Sequence, residues 1–411
     1  MTYTLIFLMI LFIFLGIILT KKVINPLSAF NLIWLVVIAM YQLRLSELQD
    51  ILNDESVITF IICILSFSIT FILGYVIKIK QKERKESDKI IEYDTIKKIF
   101  IFWLIIEFIE TVWSGGLPIL WKIIGSSKTY MNYGIPTLHG LMNSIGLVII
   151  MLSFYLYMYK KQKDNVKDRR LLVILLVVSL FSLCLITRQV IITAIIEMMV
   201  IYLYFKVKIP WKKIIIIVCV GVIAFGVIGN FRTGYDEFLD VSLMKNNNIP
   251  KSLIGVYWVY MYLTMTVANV NNAVLLGIND YGITPIASVY IPTVISNLLF
   301  SNSNIKVPNY LVTRAFNVSG FFIDFYIGYG NLGVAIISAI YGLLGAYTLK
   351  KVTKKQNEKN ILYYAIYLQI VLLSFFYNHL LYLPSGFQFV IVYIIFKIFD
   401  KKSKYRKESQ L

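Results

Sequence analysis

The sequence predicts an all-α, polytopic integral membrane protein with about 11 to 13 transmembrane helices, because three features coincide. The 411 residues are 58% hydrophobic and 15% charged, and the mean hydropathy is +0.74. That is too little polar surface for an ordinary water-soluble enzyme, which is excluded. Apolar runs of bilayer length recur from end to end, and the cations cluster in alternate segments between them. The net charge of +18 therefore reports membrane sidedness, and nucleic acid is not an expected partner.

Taken in order, the apolar windows fall at 3–20, 27–43, 57–77, 99–113, 138–158, 171–186, 190–205, 214–230, 321–349, 361–378 and 386–399. Two more, 256–276 and 283–300, are interrupted by Asn269, Asn271, Asn272, Pro285 and Pro292, and so span, re-enter or lie flat. Because they come as a pair, the sidedness of the termini is the same in each case. The segments after runs 1, 3, 5, 7 and the last two inner turns hold 31 Lys and Arg, against nine on the other face. By the positive-inside rule the N-terminus lies outside and the C-terminus inside. The first run has no cationic leader, so it reads as an uncleaved span rather than a signal peptide. The whole of 1–411 reads as one transmembrane domain, with outer loops at 114–137 and 231–320 and a basic cytoplasmic tail at 400–411. Cys63, Cys184 and Cys219 lie in apolar runs without metal or disulfide spacing.

The residues that could carry chemistry lie toward the outside, where the connections are long. The inner segments use four Arg among their 31 cations, whereas the outer nine include Arg44, Arg188, Arg232 and Arg314. A guanidinium holds phosphate or carboxylate through a planar fork, so this bias points to an anionic ligand outside. The bland reading pairs these arginines with Glu47, Asp50, Asp236 or Asp240. Arg188 sits at the turn Thr187-Arg188-Gln189 between two short runs, which places a cation below the membrane surface; either it serves a site or it snorkels to headgroups. Arg232 follows a span in Gly229-Asn230-Phe231-Arg232, with headgroup anchoring again the rival. Asp324 stands at the mouth of a span, ahead of Gly328, Gly330 and Gly333, where it either acts as a base, orients a hydroxyl or neutralises Arg314. Glu107 and Glu110 share one helix face, and Glu197 lies in another run. His139 and His379, the two histidines of the chain, read as satisfied interfacial residues, and their isolation argues against a metal site.

The order of these elements resembles the oligosaccharide repeat unit polymerase family, the bacterial O-antigen and capsular polysaccharide polymerases, across nearly the whole chain. The likeness rests on Thr187-Arg188-Gln189, on Gly229 to Arg232, on the Tyr260 to Asn269 stretch, and on Asp-Phe-x-x-Gly-x-Gly-x-x-Gly from Asp324 to Gly333. Asn317-Val318-Ser319 stands where Asn-Val-x-Thr is common, and the histidine motif of the related O-antigen ligases is missing. The resemblance implies the membrane glycosyltransferase (GT-C type) architecture and a metal-independent transferase without cofactor in the bacterial cytoplasmic membrane. Its substrate would be a polyprenyl (undecaprenyl) diphosphate-linked oligosaccharide, and a chain-length regulator and a flippase would be its partners. Arg188, Arg232 and Asp324 are the expected catalytic residues, and Arg314, Tyr260, Asn269, Asn317, Tyr326, Gly328 and Gly330 the expected substrate contacts. The rival readings are a flippase for the same lipid-linked oligosaccharide and a related ligase.

Overall fold

Most of the apolar windows become helix, although 361–378 is helical only as far as Leu372 and 283–300 is helical over Thr284–Tyr290 before it passes outside the described residues. In the computed structural model, residues 1–77, 90–206, 209–246, 250–291, 295 and 308–408 are described, apart from the side chains of 224, 232, 252 and 399–408. The basic segment at 78–89, the 292–307 stretch and the end of the tail therefore lie mostly outside the described residues. Among them the chain is helical throughout, and the only strand-like pairing is one antiparallel bridge between Ser46 and Met244. Six helices are long and apolar enough to cross a membrane by length and composition: Thr2–Thr20, Asp54–Val76, Tyr93–Ile123, Leu138–Lys163, Trp211–Phe231 and Ile323–Lys354. Pro26–Gln42 and Leu383–Ile398 are apolar but shorter.

The chain forms two compact units. The first holds 1–78, 215–350 and 370–379, and the second 79–214, 351–369 and 380–411. Helix starts follow local chemistry: Asn25 precedes Pro26 and accepts the Ser28 N–H at 2.9 Å, and Asn53 accepts the Glu55 N–H at 3.0 Å ahead of an acidic first turn.

In the first unit, lipid tails are as apolar as the side chains, so helices associate through close backbone approach and buried hydrogen bonds rather than by expelling water. Gly226 and Gly255 meet so closely that a Cβ on Gly226 would stand 1.9 Å from the Gly255 Cα. Gly342 likewise faces the Phe67 carbonyl of the Asp54–Val76 helix. Along that crossing, Thr59 donates to Asn331 at 2.9 Å and Thr70 to the Ala339 carbonyl at 3.1 Å. The interior is aromatic: Phe30 stacks on Phe67 at 3.8 Å, and Trp34, Phe60, Phe321 and Phe322 surround them. The Trp34 indole N–H is satisfied by Ser374 at 3.1 Å.

In the second unit, Trp103 is the central side chain. Its indole donates to the Met142 carbonyl at 3.0 Å, its face meets the edge of Phe181, and Gly146 leaves room for its ring. Asp168 starts the Arg169–Cys184 helix by accepting the Arg170 N–H at 3.2 Å. At the opening of the Glu358–Leu372 helix, the Glu358 carboxyl accepts the Ile91 N–H at 2.8 Å.

Candidate functional site

Asp324 owes its position to a break in its own helix. Ile323–Lys354 bends at Tyr329 (φ −142°, ψ 18°) and Gly330 (φ 58°, ψ −147°), the latter in the left-handed region that glycine alone enters freely. The bend leaves Asp324 on a short stub ahead of the rest of the helix. It also turns the Phe325 carbonyl onto Gly333, where a Cβ would come within 2.1 Å of the oxygen. Gly328 meets the passing backbone of the 281–282 segment: the Tyr281 N–H donates to the Ile327 carbonyl at 3.1 Å and the Gly282 N–H to the Gly328 carbonyl at 2.9 Å. The glycines of Asp324 to Gly333 are thus accounted for by the fold itself. The Asp324 carboxylate is buried at 8% exposure and accepts a hydrogen bond from the Tyr290 hydroxyl. Tyr310 stands close enough that burial, and then the Asp324 charge, pushes its phenol above the ordinary range.

The loop leading into this stub is stapled from below. Asn269 is fully buried; its amide donates to the Phe316 and Val318 carbonyls at 2.9 and 2.8 Å and its oxygen accepts the Val312 N–H at 2.9 Å. Asn272 holds the Tyr310 carbonyl at 2.9 Å, and Asn271 pairs with the backbone of Ile51 and Asn53. From above, the Ser319 and Gly320 N–H groups donate to the Phe376 carbonyl and the Phe321 N–H to that of Ser374. Tyr260 is equally engaged: its hydroxyl donates to Gln49 at 2.8 Å and accepts the Leu45 N–H at 3.0 Å. Of the predicted substrate contacts, then, Asn269 and Tyr260 spend their polar atoms on the fold. Tyr326 is buried, whereas Asn317 is exposed.

The four arginines fall differently. Arg188 is the first residue of the Arg188–Tyr204 helix in the second unit and is buried at 7% exposure. The turn before it is Leu185 to Thr187, with Ile186 at φ 57°, so Arg188 belongs to the helix rather than to the loop. Arg314 lies on an exposed turn of the first unit and Arg44 is half-buried there. Arg232 is in the last turn of Trp211–Thr233, and its side chain lies outside the described residues. Among the described residues neither Arg44 nor Arg314 forms an ion pair, so the proposed neutralisation of Arg314 by Asp324 is not formed.

The second unit brings together the two glutamates that share one helix face and His139, which the sequence alone presents as a separate interfacial residue. Glu107 and Glu110, on the inner face of Tyr93–Ser114, are 1% and 0% exposed, and His139 joins them from the first turn of Leu138–Lys163. The His139 Nδ1 lies 3.1 Å from the Glu110 Oε2. One donor atom from each of the three lies within 4.8 Å of the others. Around them, the Ile135 N–H donates to the other Glu110 oxygen at 3.1 Å, Tyr133 reaches Glu107 at 3.4 Å, and Asn143 meets the His139 Nε2 at 3.0 Å. Burial pushes the Tyr133 phenol above its ordinary value, so it stays a donor. The backbone here is unusual as well: Thr137 has φ 71°, and Gly134 leaves room for the imidazole where a Cβ would come within 2.6 Å of it. His379 is different, since complete burial pulls its imidazole down to about 3 and keeps it neutral. His139 is thus not isolated in space, although it is in sequence. The signal that finds the cluster is helical spacing: two glutamates three apart at the end of one run, and a histidine at the start of the next, across a single connection.

Comparison with known proteins adds nothing to this geometry. No family model, no curated protein and no solved structure matches the chain.

Proposed function

We propose that the chain is a polysaccharide polymerase of the cytoplasmic membrane, extending an O-antigen, capsule or exopolysaccharide at the outer face. It would transfer a growing glycan from polyprenyl diphosphate to the non-reducing-end hydroxyl of another lipid-linked repeat unit. The observation that carries the reading is Asp324, a buried carboxylate under the Tyr290 hydroxyl at the kinked start of a long apolar helix. Ionisable groups in such helices are expensive, and functional sites are where they are kept. In the proposed transfer, the acceptor hydroxyl attacks the anomeric carbon and gives its proton to Asp324 while the bond to the diphosphate breaks. Arg232, with Arg314 assisting, would hold the charge that develops on the leaving diphosphate, and Arg188, in the second unit, is a separate candidate for the same charge. The buried guanidinium of Arg188 supports that assignment.

The test is a surface-glycan assay in the source cell, with protein levels checked by immunoblot. Asp324→Asn, Arg188→Lys and Arg232→Lys should each leave single repeat units on the outside and abolish long polymer. Retention of full-length polymer by Arg188→Lys and Arg232→Lys at normal protein levels would overturn the arginine assignment. Loss of single units from the outside would favour the flippase instead.

A further inference from the structure

We infer that Glu107, Glu110 and His139 form a binding site for one divalent transition-metal ion of the Zn²⁺ class, tying the outer loop of the second unit to its two long helices. This goes beyond the polymerase reading and does not rest on it.

Charge balance points first to a cation. Two carboxylates, each at most 1% exposed, stand with an oxygen of each within 4.8 Å of the other. Neighbouring buried carboxylates do not both ionise without positive charge close by. Among the described residues, Glu110 forms an ion pair with His139 and with no lysine or arginine, and Glu107 forms none. With both carboxylates ionised, even a protonated imidazole would leave one negative charge uncompensated, so the cluster is neutralised either by a proton on one glutamate or by a cation. A divalent ion with a neutral imidazole and two carboxylates is electrically neutral.

Geometry and donor type then narrow the ion. Bonds of about 2.0–2.2 Å set neighbouring ligand atoms roughly 3.0–3.6 Å apart. The Glu110 to His139 separation of 3.1 Å already meets this, and a Glu107 oxygen lies within 4.8 Å of both. One imidazole nitrogen with two carboxylate oxygens suits Zn²⁺, Mn²⁺ or Fe²⁺ better than Ca²⁺, which takes six or more oxygens.

The surroundings hold each ligand by its far side. The Ile135 N–H takes one Glu110 oxygen and leaves the other for the ion, and Tyr133 steadies Glu107. Asn143 sits on the His139 Nε2, so with its amide turned to present oxygen it would accept the Nε2–H and leave Nδ1 to ligate. The histidine side chain is 23% exposed, which gives an ion and a fourth, water ligand a way in.

The experiment uses the full chain, purified in detergent through a tag without histidines, stripped with chelator and titrated with Co²⁺ as a spectroscopic probe. The expected result is one Co²⁺ per chain, a visible d–d band displaced by Zn²⁺, and a rise in Tm with either ion. Glu110→Gln and His139→Gln should each weaken Co²⁺ binding at least ~10-fold, and Asn143→Ala by roughly 10-fold through its hold on the imidazole. Absence of the band in the wild-type chain would show a cluster neutralised by protons and overturn the proposal, as would an unchanged affinity in Glu110→Gln. Should the glutamate and histidine variants not fold, the wild-type spectrum and Asn143→Ala decide alone.

Discussion

Asp324 in the first unit and the Glu107/Glu110 pair in the second are carboxylates buried to similar degrees in apolar helices, yet their surroundings differ. Asp324 is met by a neutral phenol on a helix stub whose backbone is bent around it. The glutamates are met by an imidazole, a backbone N–H and each other. A lone carboxylate with a hydroxyl partner can take a proton and return it. A paired set with a ring nitrogen is built to share a cation. The burial is common to both, so it is the neighbouring groups that separate a reactive acid from a binding one.

The largest expected effect falls on the first unit. Asp324→Asn should lower polymer formation by about 10²-fold or more, the scale of a lost general base, read as glycan length at constant protein level; an equal loss from Glu107→Gln would erase the contrast. Asn269→Ala removes a side chain that satisfies three backbone groups and should cost about 3 kcal/mol, measured as a lowered Tm in detergent. Gly333→Val places a Cβ against the Phe325 carbonyl, and overpacking of about 1–3 kcal/mol should show in the same melt. Tyr290→Phe keeps the ring and deletes the hydroxyl on Asp324, so a fall in turnover of roughly 10-fold is expected with little change in Tm. The smallest effect belongs to a carboxylate outside both sites. Asp168 caps a helix and is held well below the usual carboxylate range first by Arg170 and then by Lys160. With its folded pKa depressed, its contribution is present above about pH 4 and fades as pH falls. Asp168→Ala should therefore lose about 1 kcal/mol at neutral pH and nothing measurable in strong acid, as followed by melts across pH.

What could be read in advance follows the same division. Periodicity and length located some helices to within two residues, as 27–43 against Pro26–Gln42 and 171–186 against Arg169–Cys184, and missed the ends of others, as 99–113 against Tyr93–Ser114 and 361–378 against Glu358–Leu372. The Asp324 to Gly333 motif was legible because its parts are contiguous and a glycine pattern reports backbone geometry directly. The asparagines that made 256–276 ambiguous are loop staples: Asn269 and Asn272 hold backbone about 40 to 50 residues later in the chain and Asn271 holds backbone about 220 residues earlier. The pairing of the two glutamates was legible in their spacing, but their meeting with His139 depends on how the 111–138 connection packs, which the spacing alone does not give.

The bend at Tyr329 and Gly330 also separates two mechanical duties within one helix. Beyond it, the stretch through Ala339 and Gly342 is locked to the Asp54–Val76 helix. Ahead of it, the stub is fastened to the 281–282 segment. A change in bilayer thickness, which tilts a spanning helix, would be absorbed at the joint, and the acid would keep its place in thin and thick membranes alike.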